Sequence, residues 1–337
     1  MPLFDTYIMT DWSGGSRRRK NRRDPIWIAY GGIEDVSPQT ESPPSRSEAV
    51  QLIRSLLLER ITVRSQVLVC FDFAYGYPVD FAAALEAATG KSDLPWRLVW
   101  RYLSETVKDD EATLPSRKPT NRSNRFEVTN LINSSLSSRW EAAGPFWCSA
   151  AEAAYLHIPQ RQPDQPFVSA QGYLIKPLRL TDKRAKSGTP FRLFGTASVG
   201  GQSITGIPRL YKLRNEPELA PRSSVWPFET GWAIKASWLP NHISIIHAEI
   251  YPSVKEPKPD PIKDRGQVHA MWEWARDLDR QDQLWYEFAR PADIEPGSKE
   301  DIAVQLTEGW ILGSSPTVRQ SVSYSLESTR GRGSSWS

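Results

Sequence analysis

The chain has 337 residues, 39% hydrophobic and 24% charged, the balance of a globular protein able to bury a sizeable core as one large domain or two ordinary ones. A net charge of +3 permits contact with nucleic acid without demanding it. Only Cys70 and Cys148 carry thiols, which excludes a disulfide framework and a cysteine-rich zinc site and favours a reducing cytosol.

The N-terminus carries no signal-peptide pattern, and no apolar run approaches the roughly 18 residues that span a bilayer. A cytoplasmic protein without a membrane partner is therefore expected. Fourteen tryptophans and 27 prolines argue against an all-helical bundle and for extended connections with aromatic packing.

Phe4 to Asp11 reads as a strand ending in an aspartate, followed by the Gly14-Gly15 turn. A basic tract from Ser16 to Arg23 reads as a hairpin tip, and Ile26 to Tyr30 as a second strand closed by Gly31-Gly32. A weak third strand is expected near Ile33 to Val36, then a polar, proline-rich turn from Ser37 to Ser45. Ser47 is the expected N-cap of a helix from Glu48 to Arg60, where Val50, Ile53, Leu56 and Leu57 recur at helical spacing. Val67 to Phe71 is a continuous apolar run, the pattern of a strand buried on both faces. Asp72 follows it, and Asp80 is placed to cap a helix through Ala88, stopped by Gly90.

Between Lys91 and Asn241 the pattern is irregular. Helices are expected at Pro95–Leu103 and Phe126–Ala143, a strand within Gln171–Leu180, and a glycine-rich turn entering a helix over Ser198–Arg214. Regularity returns at Ile243 to Pro252, a strand carrying Glu249 near its end. Helices are expected at Asp264–Leu278 and Lys299–Leu312, and a disordered tail over 327–337.

Three strands thus end in or near an acid: Asp11, Asp72 and Glu249. Clustered carboxylates repel, and a divalent cation such as Mg2+ or Mn2+, which prefers oxygen ligands, relieves that repulsion. Two such ions can activate water and stabilise the leaving oxygen of a phosphodiester. The element order describes an α/β ribonuclease H-like mixed sheet flanked by helices. Its core covers 1–90 and 243–315, and a large insertion, 91–242, lies between the fourth and fifth core strands. In that order Asp11 and Asp72 end side by side, with Glu249 one strand further out. A fourth acid is expected from a helix: Asp264, Asp301 or Glu308.

The chain resembles the DUF429-type family of predicted nucleases with a ribonuclease H-like fold. Asp11-Trp12-Ser13, Phe71-Asp72-Phe73 with Gly76-Tyr77-Pro78, and Ala248-Glu249-Ile250-Tyr251-Pro252 carry the resemblance. A bacterial subgroup is similar through Asn124-Arg125-Phe126-Glu127, Gly144-Pro145-Phe146-Trp147, Ser198-Val199-Gly200-Gly201-Gln202, Trp226 to Gly231, Lys263-Asp264 and Glu308 to Gly313. The resemblance implies a nuclease with Asp11, Asp72 and Glu249 as metal ligands. The last helix lacks the paired acids of the commoner family form.

Ser13, Arg17, Lys20, Arg125 and Gln202 are candidates to contact a nucleic-acid or nucleotide substrate. Lys118, Arg122, Arg125, Lys176 and Arg179 would form a basic face of the insertion, or a plain solvated surface. His247 reads as a satisfied core residue. Two other functions fit the same residues: an actin- or sugar-kinase-like nucleotide-binding or phosphotransfer protein, and a non-catalytic scaffold that binds a partner.

Overall fold

In the computed structural model, residues 1–16, 26–109, 120–138, 143–150, 155–195, 198–232 and 242–314 are described. The first strand, β1 (Thr6–Asp11), is buried until its last residue. It pairs antiparallel with β2 (Trp27–Gly32), which pairs antiparallel with β3 (Gln39–Glu41). On the other side of β1 lies the parallel strand β4 (Val67–Phe71), buried along its whole length, as its unbroken apolar run requires.

The next strand across is β8 (Ile245–Ile250), parallel to β4 and likewise buried throughout. Two short strands share its outer edge: β7 (Ser223–Val225) pairs with Ile245 to His247, and β9 (Ile311–Leu312) pairs with Glu249 and Ile250. The order is β3-β2-β1-β4-β8, closed by β7 and β9. A separate hairpin joins β5 (Phe167–Val168) and β6 (Leu174–Ile175).

The helices are α1 (Arg46–Thr62), α2 (Phe81–Thr89), α3 (Pro95–Thr106), α4 (Arg125–Leu136), α5 (Leu180–Ala185), α6 (Val199–Arg214), α7 (Lys263–Arg280), α8 (Trp285–Phe288) and α9 (Lys299–Ala303). Side chains of a strand alternate between faces, so the sheet has two cores. On one face Ile8, Val67, Val69, Phe71 and Ile245 pack with residues of α1, α2, α3, α4 and α6. On the other, Tyr7, Met9, Leu68, Cys70, Ile246 and Ala248 pack with Val268, Met271, Trp272 and Ala275 of α7. Trp12, Trp100, Trp226, Trp272 and Trp310 are all fully buried, as their expected core role requires.

Several expected elements are corrected. Residues 33–36 make a turn, because the Asp35 carboxylate accepts the Gly32 N–H at 2.6 Å; the third strand comes later, at β3. Ser45, not Ser47, caps α1: its hydroxyl accepts the Glu48 N–H and donates to the Glu48 carboxylate. Asp80 sits at the cap position of α2 with φ +75° and makes no side-chain cap bond. The fourth helix stops at Leu136, where Ser137 turns extended.

The expected Gln171–Leu180 strand is reduced to β6 and the start of α5. The glycines after Ser198 form no open turn. They lie inside α6, where Gly206 faces the Phe73 ring with no room for a side chain. The last helix becomes α9 plus a π-helical turn, Val304–Glu308; Gly309 at φ +70° ends it, and Ile311–Leu312 join the sheet. The basic tract from Arg17 to Arg23 and the tail over 327–337 lie outside the described residues.

Candidate functional site

Strands β1 and β4 run parallel with Thr10 opposite Phe71, so Asp11 and Asp72 leave them side by side. The Asp72 N–H donates to the Thr10 carbonyl at 3.1 Å and carries the ladder one step further. Asp11 acts on the Asp72 carboxyl and lowers it. The Trp12 N–H donates to Asp72 Oδ1 at 2.6 Å. Gln202 Nε2 donates to the Trp12 carbonyl at 2.6 Å and to Asp72 Oδ2 at 3.3 Å.

Gln202 stands in the first turn of α6. A Cβ at Gly14 would lie 2.9 Å from the Gly201 carbonyl carbon, so the glycine lets the loop after Asp11 rest on that turn. Asp264 stands in the first turn of α7, the helix on the face to which Met9 and Cys70 belong. Its charge acts on Asp72. Burial, with Asp264 adding to it, pushes the Asp72 carboxyl up to about 7, against the pull of the Trp12 N–H, Asp11 and Gln202.

Glu249 is elsewhere. It stands in register with Phe71, not with Asp72, and neighbouring residues of a strand point to opposite faces. Arg179 meets it there: Nη1 donates to Oε2 at 2.7 Å and Nη2 to Oε1 at 2.6 Å. The same guanidinium donates to both Asp182 carboxylate oxygens, at 3.0 and 2.7 Å, and to the Glu308 carbonyl at 2.9 Å. The Tyr75 N–H completes the Glu249 set at 2.9 Å. Burial works against the charge of Arg179, yet Asp182 and Glu249 hold it well above its ordinary value.

The other helix acids also have local duties. Glu308 accepts the Val79 N–H at 3.1 Å and the Leu180 N–H at 2.7 Å. Asp301 accepts the Trp232 indole at 2.6 Å, the Gly297 N–H at 2.7 Å and Gln305 Nε2 at 2.7 Å. Of the six expected acids, Asp11, Asp72 and Asp264 therefore interact, while Glu249, Glu308 and Asp301 tie other parts of the chain together.

Among the substrate candidates, Arg17 and Lys20 lie outside the described residues, as does Lys118. Gln202 turns toward Asp72. Ser13 presents its carbonyl to Arg46 at 2.9 Å. Arg125 and Arg179 are 4% and 1% exposed, which overturns their reading as a solvated surface. His247 is core but not satisfied. Neither ring nitrogen has a partner among the described residues, and burial, helped by Arg214, lowers it to about 3.

Sequence reasoning missed Arg46 and Asp109. Arg46 is fully buried, chelates Asp109 through Nε and Nη2, and donates through Nη1 to the carbonyls of Ser13 and Gly15. It clamps the loop that follows Asp11. An arginine at the first position of a helix carries no signal of such a role.

Among the described residues, no group of three or more His, Cys, Asp or Glu side chains is arranged to hold a metal ion, and no helix is long and apolar enough to cross a membrane. Compared with family models, curated proteins and solved structures, the chain matches none.

Proposed function

We propose that this chain hydrolyses phosphodiester bonds with a divalent cation held by Asp11 and Asp72, on a ribonuclease H-like fold. The fold reading is supported by the order β3-β2-β1-β4-β8, antiparallel in its first half and parallel in its second. It is supported too by α1 between β3 and β4 and α7 after β8. The functional reading rests on one observation, the pair Asp11 and Asp72 at the ends of adjacent parallel strands.

The donor chemistry of that pair suits Mg2+ or Mn2+. The two carboxyls leave adjacent strands side by side, Asp264 adds negative charge, and no lysine or arginine meets Asp72 among the described residues. Acid-rich surroundings that offer carboxylate oxygens are what such ions prefer. Asp11 and Asp72 would hold the ion, with Asp264 on the same face. Glu249 does not fit, because the Arg179 guanidinium already neutralises it through both oxygens. The ion supplies charge neutralisation at phosphorus and a more acidic water. The chain itself fixes the geometry: Trp12 and Gln202 hold Asp72 in place, and Arg46 anchors the loop after Asp11.

The test is cleavage of labelled single- and double-stranded DNA and RNA oligonucleotides with Mg2+ or Mn2+. Wild type cleaves at least one of them, and Asp11→Asn and Asp72→Asn do not while remaining folded. Full activity in either variant overturns the proposal.

A second reading, a non-catalytic scaffold of the same fold, is favoured by the lack of a three-acid group among the described residues. It predicts no cleavage by wild type under any of these conditions. The nucleotide-binding alternative loses ground because Gly14 rests on the backbone of α6.

A further inference from the structure

Three arginines converge beside the loop that follows Asp11. Arg46 and Arg209 both pair with Asp109; the Arg46 contact is 2.5 Å and the Arg209 contact 3.2 Å. Among the described residues Arg125 makes no such ion pair. Its Nη1 reaches only the hydroxyls of Ser16, at 3.1 Å, and Ser123, at 3.4 Å, and its Nε–H has no acceptor among the described residues. The guanidinium lies over the Phe126 ring, 4.4 Å from its centre, a contact weaker than an ion pair. Burial and the charge of Arg46 pull Arg125 down to about 10, against the opposing pull of Asp109 and of Glu127 in the first turn of α4.

A buried guanidinium that makes no direct ion pair is costly, and an arriving anion would offset that cost. Two further features favour an anion at this place. Arg125 opens the twelve-residue helix α4, whose capping residue Asn124 spends its side chain elsewhere: Oδ1 accepts the Lys108 N–H and Nδ2 donates to Thr106. The first-turn N–H groups of α4 thus receive no side-chain acceptor from their cap. Ser16, whose hydroxyl Arg125 Nη1 reaches, is exposed, while Arg125 itself is buried.

We infer that Arg125, with the first turn of α4 and the Ser16 hydroxyl, forms a phosphate-binding subsite beside the loop that follows Asp11. That the phosphate belongs to a substrate strand rests on the phosphodiesterase reading; the anion site does not. The planar fork of Arg125 suits an oxyanion with two acceptor oxygens.

The test is run on the full chain in EDTA, so that it is independent of cleavage. The probes are inorganic phosphate, followed by thermal melting, and a fluorescent single-stranded oligonucleotide, followed by anisotropy. Phosphate raises the melting temperature of wild type and not of Arg125→Gln. Oligonucleotide affinity falls about ten- to a hundredfold in Arg125→Gln, the worth of one or two charge-assisted hydrogen bonds. Phosphate binding without oligonucleotide binding assigns the site to a free phosphate and overturns the strand assignment. Equal response of wild type and Arg125→Gln overturns the subsite.

Should Arg125→Gln fail to fold, amide exchange of wild type decides. Phosphate slows exchange at residues 124–127, and unchanged exchange there overturns the inference. Arg125-dependent binding in a protein that cleaves nothing leaves the subsite standing and removes only the nuclease reading.

Discussion

Glu249 stands opposite Phe71 on the neighbouring strand, one residue short of Asp72, and that single step sends its carboxylate to the other face of the sheet. There it meets Arg179 through two hydrogen bonds, at 2.6 and 2.7 Å. An acid near a strand end thus serves as a counter-ion, and the candidate site narrows to Asp11 and Asp72, with Asp264 acting from α7.

Breaking that ion pair is predicted to be costly. Arg179→Met leaves Glu249 and Asp182 buried without their cation and lowers stability by about 3–5 kcal/mol. The double variant Arg179→Met/Glu249→Leu loses less than Arg179→Met alone, because one stranded charge has gone. Urea denaturation of the single and double variants measures both.

Asp72 gives the fold a pH dependence whose sign is fixed. Its carboxyl moves from an ordinary 3.8 to about 7 on folding. The folded chain therefore keeps a proton that the unfolded chain has released, so this stability is complete below the lower value and is lost as pH rises through the upper one. In EDTA, Asp72→Asn should remove the part of the decline between pH 4 and 8 that Asp72 contributes, as seen in melting curves across that range. At the proposed metal site Mn2+ would compete with protonation of Asp72, so its stabilising effect on wild type is predicted to be larger near pH 8 than near pH 5.

Gln202 links α6 to the site. Removing its amide in Gln202→Ala takes away one bond to the Trp12 carbonyl and one to Asp72. The loss is about 1 kcal/mol of stability, with a further rise in the Asp72 value, which the Gln202 bond had lowered. The pH midpoint of the stability profile reports that rise.

Gly206 shows how closely α6 approaches the sheet. Gly206→Ala drives a methyl group into the Phe73 ring, and Phe73 follows Asp72 directly. A loss of about 1–3 kcal/mol is expected from such overpacking, measured by chemical denaturation.

Much of the sheet was legible in the sequence because apolar runs such as Val67 to Phe71 and Ile243 to Ile250 admit little else. Asp11 beside Asp72 followed from strand order. The side on which Glu249 projects did not, because it depends on inter-strand register, and a slip of one residue reverses every side chain. Arg46, Arg125 and Arg179 were also hidden: a buried arginine and a solvated one look alike until their partners are known. The glycines of α6 read as a turn because what demands them lies elsewhere in the chain: the Phe73 ring at Gly206, and the backbone of Pro190 to Leu193 at Gly200 and Gly201.

The most direct test of the Asp11–Asp72 assignment is isothermal titration of Mn2+ into wild type, Asp11→Asn, Asp72→Asn and Glu249→Gln. Wild type and folded Glu249→Gln bind the ion alike, and the two aspartate variants lose it. Binding that survives in Asp11→Asn and Asp72→Asn, or that disappears in a folded Glu249→Gln, contradicts the account.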